Sequence, residues 1–178
     1  MFKVIAIIPA RSGSKSIKNK NLQKIEGKTL LQKAIEFSNS IDEIDRTFVT
    51  TDTKKYQNLA LKYGAECPFL RPKILAGDSS LDIDVFYHCL MWIKQNYNFM
   101  PEIIINLRPT YPFRKKKDFK YAIRKIRNNK NIDSIKSICK IPFPIDKTWL
   151  INKKNFLVNS IDKKNLKEFW NYPRQKLK

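Results

Sequence analysis

Arg11, Lys15, Lys18 and Lys20 crowd into one short segment, interleaved with Ser12, Gly13 and Ser14. Cationic side chains supply the charge to hold an anion, and small side chains let backbone N–H groups approach it closely. The segment emerges from an apolar run of strand type, Val4 to Ile8, that stops at Pro9. A strand opening into such a loop is how α/β proteins cradle phosphates, so the chemistry in view is nucleotide-phosphate binding. The loop is not a Walker motif, since no Gly-Lys-Ser/Thr closes it. It is not a dinucleotide fingerprint either, since Gly-x-Gly-x-x-Gly is absent. Lys18 reads as a solvated surface cation.

A second apolar strand candidate, Glu102-Ile-Ile-Ile-Asn106, opens into Leu107-Arg-Pro-Thr-Tyr-Pro-Phe-Arg114. That loop again carries arginine, hydroxyl groups and proline. In open parallel sheets, ligands sit outside the carboxyl ends of the strands. Two such loops therefore point to one shared ligand site.

The elements that must position these loops follow from periodicity. Helical spacing of apolar residues predicts helices over 30–37, 54–63 (stopped by Gly64), 81–92 and 119–126. For the third, Ile83, Phe86, Leu90 and Ile93 form the expected core face. Strands are expected at Arg46-Thr-Phe-Val-Thr-Thr-Asp52, at 102–106 with both faces buried, and at Ser134 to Ile141. Cys67 to Leu70 reads as a short extended piece, and the segments around Asn152 to Asn155 read as a hairpin. Alternating strands and helices predict an α/β fold: a mostly parallel central sheet flanked by helices, with right-handed crossovers. Asp52 reads as a turn or cap residue before Lys54 rather than a contact to a metal-bound water. Asp78 and Asp82 read as ribose contacts or caps of the helix beginning near Leu81, capping being the simpler reading. The single histidine, His88, reads as a partly buried helix residue.

The 178 residues suffice for one domain with a sizeable core. No apolar run reaches membrane-spanning length, and no secretory leader is apparent. Three dispersed cysteines (Cys67, Cys89, Cys139) form neither a metal cluster nor a disulfide framework, which fits a reducing cytoplasm. The net charge is +20, with 16 Lys/Arg against 11 Asp/Glu over residues 1–110 and 20 against 5 over 111–178. Of the 36 cations 28 are lysines, dispersed among Asn and Ile with no nucleic-acid-binding signature. The excess reads as solvated surface with some attraction for anionic substrates, and argues against nucleic acid as the partner.

The motifs together resemble those of the acylneuraminate (sialic acid, nonulosonic acid) cytidylyltransferases. The residues carrying the resemblance are Ile7-Ile-Pro-Ala-Arg-Ser-Gly-Ser-Lys15 with Lys18-Asn-Lys-Asn21, Thr50-Thr-Asp52, Gly64-Ala-Glu66, Phe69-Leu-Arg-Pro72 with Leu75-Ala76 and Asp78, Leu107 to Arg114, and Pro173-Arg-Gln175. The resemblance implies a Rossmann-like nucleotidyltransferase domain over 1–178. It implies transfer of CMP from CTP to a sialic acid-like nonulosonic acid with release of pyrophosphate, Mg²⁺ as cofactor, and a homodimer in the full-length family. It assigns Arg11, Ser12, Gly13, Ser14, Lys15, Lys20, Asn21, Arg71 and Asp78 to the nucleotide, with backbone donors at 12–14. Arg11 and Lys20 would stabilise the charge of the breaking α–β phosphate bridge, and Arg71 would read cytosine O2 and N3 through its forked donors. Arg108, Thr110, Arg174 and Gln175 are assigned to the sugar acid, whose carboxylate suits arginine.

The departures are Ser16 for the family's usual Gly, Tyr111 for a common Ser, and Arg108 for a Gln common in sialic acid enzymes. A positive φ at position 16 would cost serine about 1 kcal/mol. The family's dimerisation extension and its acidic Asp-x-Asp metal motif lie beyond Gln175 and are absent from these 178 residues, so the metal ligands are unknown. Two alternatives follow: a catalytically inactive nucleotide-binding relative, or a nucleotidyltransferase that uses GTP or a sugar phosphate.

Overall fold

The computed structural model describes residues 3–77, 80–138 and 149–159. The chain forms two compact units, divided after Ser134. The first is built on three parallel strands in the order β4-β1-β5: β1 (Val4–Pro9) at the centre, β4 (Arg46–Thr50) on one side and β5 (Ile103–Asn106) on the other. The register pairs Pro9 with Thr50 and Ile7 with Asn106. A small antiparallel pair, β2 (Lys24–Ile25) and β3 (Lys28–Thr29), lies between β1 and the first helix.

The period-two alternation of β1 sends its side chains to two cores. Ile5 and Ile7 join Phe48, Cys89 and Ile93, so helix α3 (Asp82–Tyr97) covers that face. Val4 and Ile8 face the opposite layer, made by α1 (Leu30–Asn39), α2 (Lys54–Lys62) and α4 (Lys116–Arg127). Helix α1 begins where Thr29 Oγ1 accepts the amide of Gln32, an N-cap at the position the sequence pattern indicates. Helix α2 ends at Gly64, whose φ of +82° is the left-handed conformation that glycine takes without strain. An extended segment runs along the outer edge of β4, where Val49 N donates to Glu66 O and Glu66 N to Thr47 O.

The structure corrects several expectations. The buried stripe of α3 is Val85, Cys89 and Ile93, whereas Ile83 is 66% exposed and Phe86 and Leu90 are only partly covered. Strand β5 is not buried on both faces. It is the sheet's edge among the described residues, and Ile104 is 39% exposed. A run of three isoleucines reads the same whether it is central or at an edge, because pairing, not composition, decides. Residues 134–138 carry no strand, and the rest of that expected element lies outside the described residues. Ser16 is not in the left-handed region; Asn19 is instead, at φ 50°, so the serine carries no such strain. In the second unit the expected hairpin is present: β6 (Trp149–Ile151) pairs antiparallel with β7 (Leu157–Asn159).

Candidate active site

The carboxyl ends of β1 and β5 open onto one cleft of about 250 Å³. Its walls include Pro9, Arg11, Ser14, Lys20, Asn21, Arg71, Leu75, Gly77, Ser80, Asp82, Arg108 and Thr110. Most of the predicted residues within the described segments are thus brought together, from positions almost 100 residues apart. Ser12, Gly13 and Lys15 do not line the cleft. Asp78, Arg174 and Gln175 lie outside the described residues.

The phosphate-loop expectation needs correction at the backbone. The amide of Ser12 donates to Asp52 Oδ1 (2.8 Å), and that of Ser14 to Ser12 O (2.9 Å). Both N–H groups are engaged inside the protein, so Ser12 anchors the loop and is not one of its anion donors. A loop without secondary structure must satisfy its own amides, and a carboxylate placed beside it does so with a charge-assisted bond. Ser12 Oγ adds a second bond to Asp52 Oδ2 (2.8 Å). Asp52 therefore caps no helix; Thr53 holds the N-cap position of α2.

Arg11 reaches across to the single-turn 3₁₀ helix at Lys73–Ala76, donating to Ala76 O (3.1 Å) and Gly77 O (2.6 Å). Asn21 is buried and donates through Nδ2 to Arg11 O (3.1 Å), which ties the start of the loop to its end. Lys20 opens the short 3₁₀ turn Lys20–Leu22 at the cleft wall.

Among the described residues Arg71 is the one buried cation of the cleft, 6% exposed. Nε donates to Thr50 Oγ1 (3.1 Å) and Nη2 to Thr50 O (2.7 Å), with a longer contact from Nη1 to Leu75 O. Desolvation lowers its pKa, and the carboxylates of Asp52 and Asp82 partly oppose this. These bonds use Nε–H and one N–H on each terminal nitrogen, leaving one further N–H on each from a guanidinium whose orientation is fixed.

Arg108 is held by Asp82 Oδ2 through Nε (2.9 Å) and Nη2, and Asn106 Nδ2 makes a longer contact to the same oxygen. Asp82 occupies the first turn of α3, whose N-cap position is Leu81, so it pairs across the cleft and caps nothing. Arg114 lies behind, donating to Arg108 O and stacking over Phe37. Desolvation brings its pKa down to about 10.

The donor set of the cleft is cationic. Asp82 is its one carboxylate among the described residues and is already paired, and no group of three His, Cys, Asp or Glu suited to a metal occurs there. These residues do not fit a protein-held Mg²⁺. What they do fit is a polyanion with a flat hydrogen-bonding group at one end. What the sequence does not announce is the pairing of Asp82 with Arg108 and the latch of Asp52 onto Ser12. The signal for the latch is strand register. Once Pro9 and Thr50 are known to be partners, residues two or three further on must meet, but the sequence does not state which strands pair.

Comparison with known proteins agrees with this geometry. A cytidylyltransferase family profile matches residues 5–169. A pseudaminic acid cytidylyltransferase of Campylobacter jejuni is 31% identical over 93% of this chain and 70% of its own length. A CMP-N,N'-diacetyllegionaminic acid synthase of Legionella pneumophila is 34% identical over 68% of this chain, and the aligned part is 52% of that protein's length. The chain thus spans about half of the Legionella relative. Among solved structures, a CMP:2-keto-3-deoxy-manno-octonic acid synthetase complexed with CTP superposes with a TM-score of 0.60 at 21% identity, covering 72% of this chain and 48% of that one.

Proposed function

Because the chain belongs to the cytidylyltransferase family, we propose that its cleft binds CTP and a nonulosonic acid and transfers CMP to the sugar. The observation that carries this reading is the convergence of Arg11, Lys20, Arg71 and Arg108 on one cleft at the carboxyl ends of β1 and β5. In the reaction, the sugar's anomeric oxygen bonds to the α-phosphorus while the α–β bridging P–O bond breaks. Pyrophosphate leaves and the hydroxyl proton passes to solvent. Such a transfer depends on positioning and charge neutralisation more than on covalent help.

Arg11 and Lys20 offset charge on the triphosphate as the bridge breaks. The fixed fork of Arg71 reads cytosine, and Asn21 holds the loop against the nucleotide. Arg108 and Thr110 bind the sugar acid; Arg174 and Gln175 are assigned to it from their motif alone. Asp78 is assigned to the nucleotide from its motif, as are Gly13 and Lys15. Mg²⁺ would arrive with the triphosphate, whose phosphate oxygens are its natural ligands; no step here is routed through it. The family match, over residues 5–169, runs through both compact units, which supports reading 1–178 as one cytidylyltransferase domain.

The test is thermal shift with CTP, UTP, GTP and ATP, followed by pyrophosphate release with a panel of nonulosonic acids. Stabilisation by CTP above the others and sugar-dependent release are expected. A shift with GTP alone would remove the role given to Arg71. Stabilisation by CTP with no pyrophosphate release at any Mg²⁺ concentration would point instead to the alternative, a nucleotide-binding but inactive relative.

A further inference from the structure

The end of β4 holds both halves of the cleft. Thr50 O accepts from Ala10 N (3.0 Å), at the root of the phosphate loop, and also from Arg71 Nη2 (2.7 Å). Thr51 O accepts the backbone amide of Arg71 (2.6 Å). Asp52, next in sequence, grips Ser12 by its amide and its hydroxyl. Thr50 and Thr51 are fully buried and Asp52 is half-buried, so the base of this tripeptide is packed within the protein. Both ligand-facing parts are loops, and loops hold a geometry only as well as their supports do.

From this juxtaposition we infer that Asp52 is a positioning residue: it holds the loop from Arg11 to Ser14 in its phosphate-binding shape, and β4 thereby fixes the distance between that loop and the base-reading Arg71. The inference rests on the CTP reading above. It has an unusual sign. Asp52 is an anion beside a site for a polyanion, so its charge alone opposes CTP binding. Its two bonds to Ser12 favour binding by ordering the loop in advance. If positioning outweighs charge, removing the carboxylate weakens CTP binding; if charge outweighs positioning, removal tightens it.

The experiment measures affinities of cytidine, CMP, CDP and CTP for wild type and variants by calorimetry. The matched control lies at the other end of β1, where Asp45 Oδ2 accepts the amides of Lys3 (2.7 Å) and Val4 (2.8 Å). In Asp52→Ala, CTP affinity is expected to fall about tenfold or more, with the loss shrinking along the series to nothing for cytidine. Asp45→Ala should shift the whole series equally or not at all, whatever it costs in stability. Asp52→Asn keeps an acceptor for the Ser12 amide without the charge and should recover part of the loss. Should Asp52→Ala not fold, Asp52→Asn and Ser12→Ala carry the same comparison. A flat loss across the series, or tighter CTP binding in either Asp52 variant, overturns the inference. If wild type itself gains nothing from cytidine to CTP, the nucleotide reading fails and takes this inference with it.

Discussion

Arg71 joins stability and recognition in one side chain. Its bonds to Thr50 are buried, so substitution takes this donor from the Thr50 hydroxyl and leaves the carbonyl with Ala10 N–H alone, as well as altering the site. Arg71→Lys keeps the charge but not the planar fork. We expect a loss of about 1–3 kcal/mol in urea denaturation and a drop of about tenfold or more in the preference for CTP over UTP. Unchanged preference with lost stability would make Arg71 structural only. His88 gives a second test at this scale. It packs edge-on against Phe69, and its Nδ1 has no hydrogen-bond partner among the described residues. Desolvation, then the nearby Arg71 charge, lowers its pKa below the ordinary 6.5. The unfolded chain therefore takes up the proton first as pH falls. The stabilising contribution of neutral His88 is complete above about 6.5 and is lost below it. As the chain's one histidine, it should give a single imidazole NMR signal that titrates below that value. His88→Gln should remove this contribution to the fall in stability between pH 7 and 5; a titration midpoint above 6.5 would contradict the packing.

At the scale of elements, the legible parts are those whose signal is local. The strand Val4–Pro9, the four helices, the stop at Gly64 and the hairpin around Asn152 to Asn155 rest on periodicity and turn chemistry carried by neighbouring residues. What stayed hidden depends on partners distant in the chain. The edge position of β5 is set by pairing, and the grip of Asp52 on Ser12 by register. The face of α3 expected from Ile83, Phe86, Leu90 and Ile93 differs from the buried one, which takes Val85 and Cys89 with Ile93, because a mostly apolar helix leaves neighbouring stripes nearly equal. Of the site, the cationic residues were readable as a motif, but the spending of the Ser12 and Ser14 amides inside the protein was not. The α3 correction has a direct consequence. Ile93→Ala empties a fully buried position between the sheet and α3 and should cost about 2–5 kcal/mol. Ile83→Ala removes a mostly exposed side chain and should stay within about 0.5 kcal/mol. Equal midpoints in urea would mean that α3 is rotated from the orientation described.

For the whole molecule, the charge of +20 sets two opposing responses to salt. Helix α4 shows the arrangement in miniature: Lys116, Lys117, Lys120, Arg124, Lys125 and Arg127 against Asp118 alone. Like charges at this density repel in the compact state, and raising KCl from about 50 to 300 mM shortens the Debye length from roughly 14 to 6 Å. Salt also weakens ion pairs such as Lys28–Glu36 and Lys120 with Asp42 and Glu43. Exposed pairs of that kind contribute only about 0–1 kcal/mol each, with a median near the low end. The excess of 20 unbalanced cations therefore outweighs them, and relief of self-repulsion of order 1 kcal/mol should raise Tm by about 2–4 °C. CTP binding should respond in the opposite direction, because the same screening weakens attraction between the polyanion and the cleft's arginines. Melting curves and CTP titrations across one KCl series check both signs together. If Tm fell with salt, the surface cations would be paired more completely than the described ion pairs indicate. If CTP affinity were insensitive to salt while Tm rose, the cationic cleft would not be where the triphosphate sits.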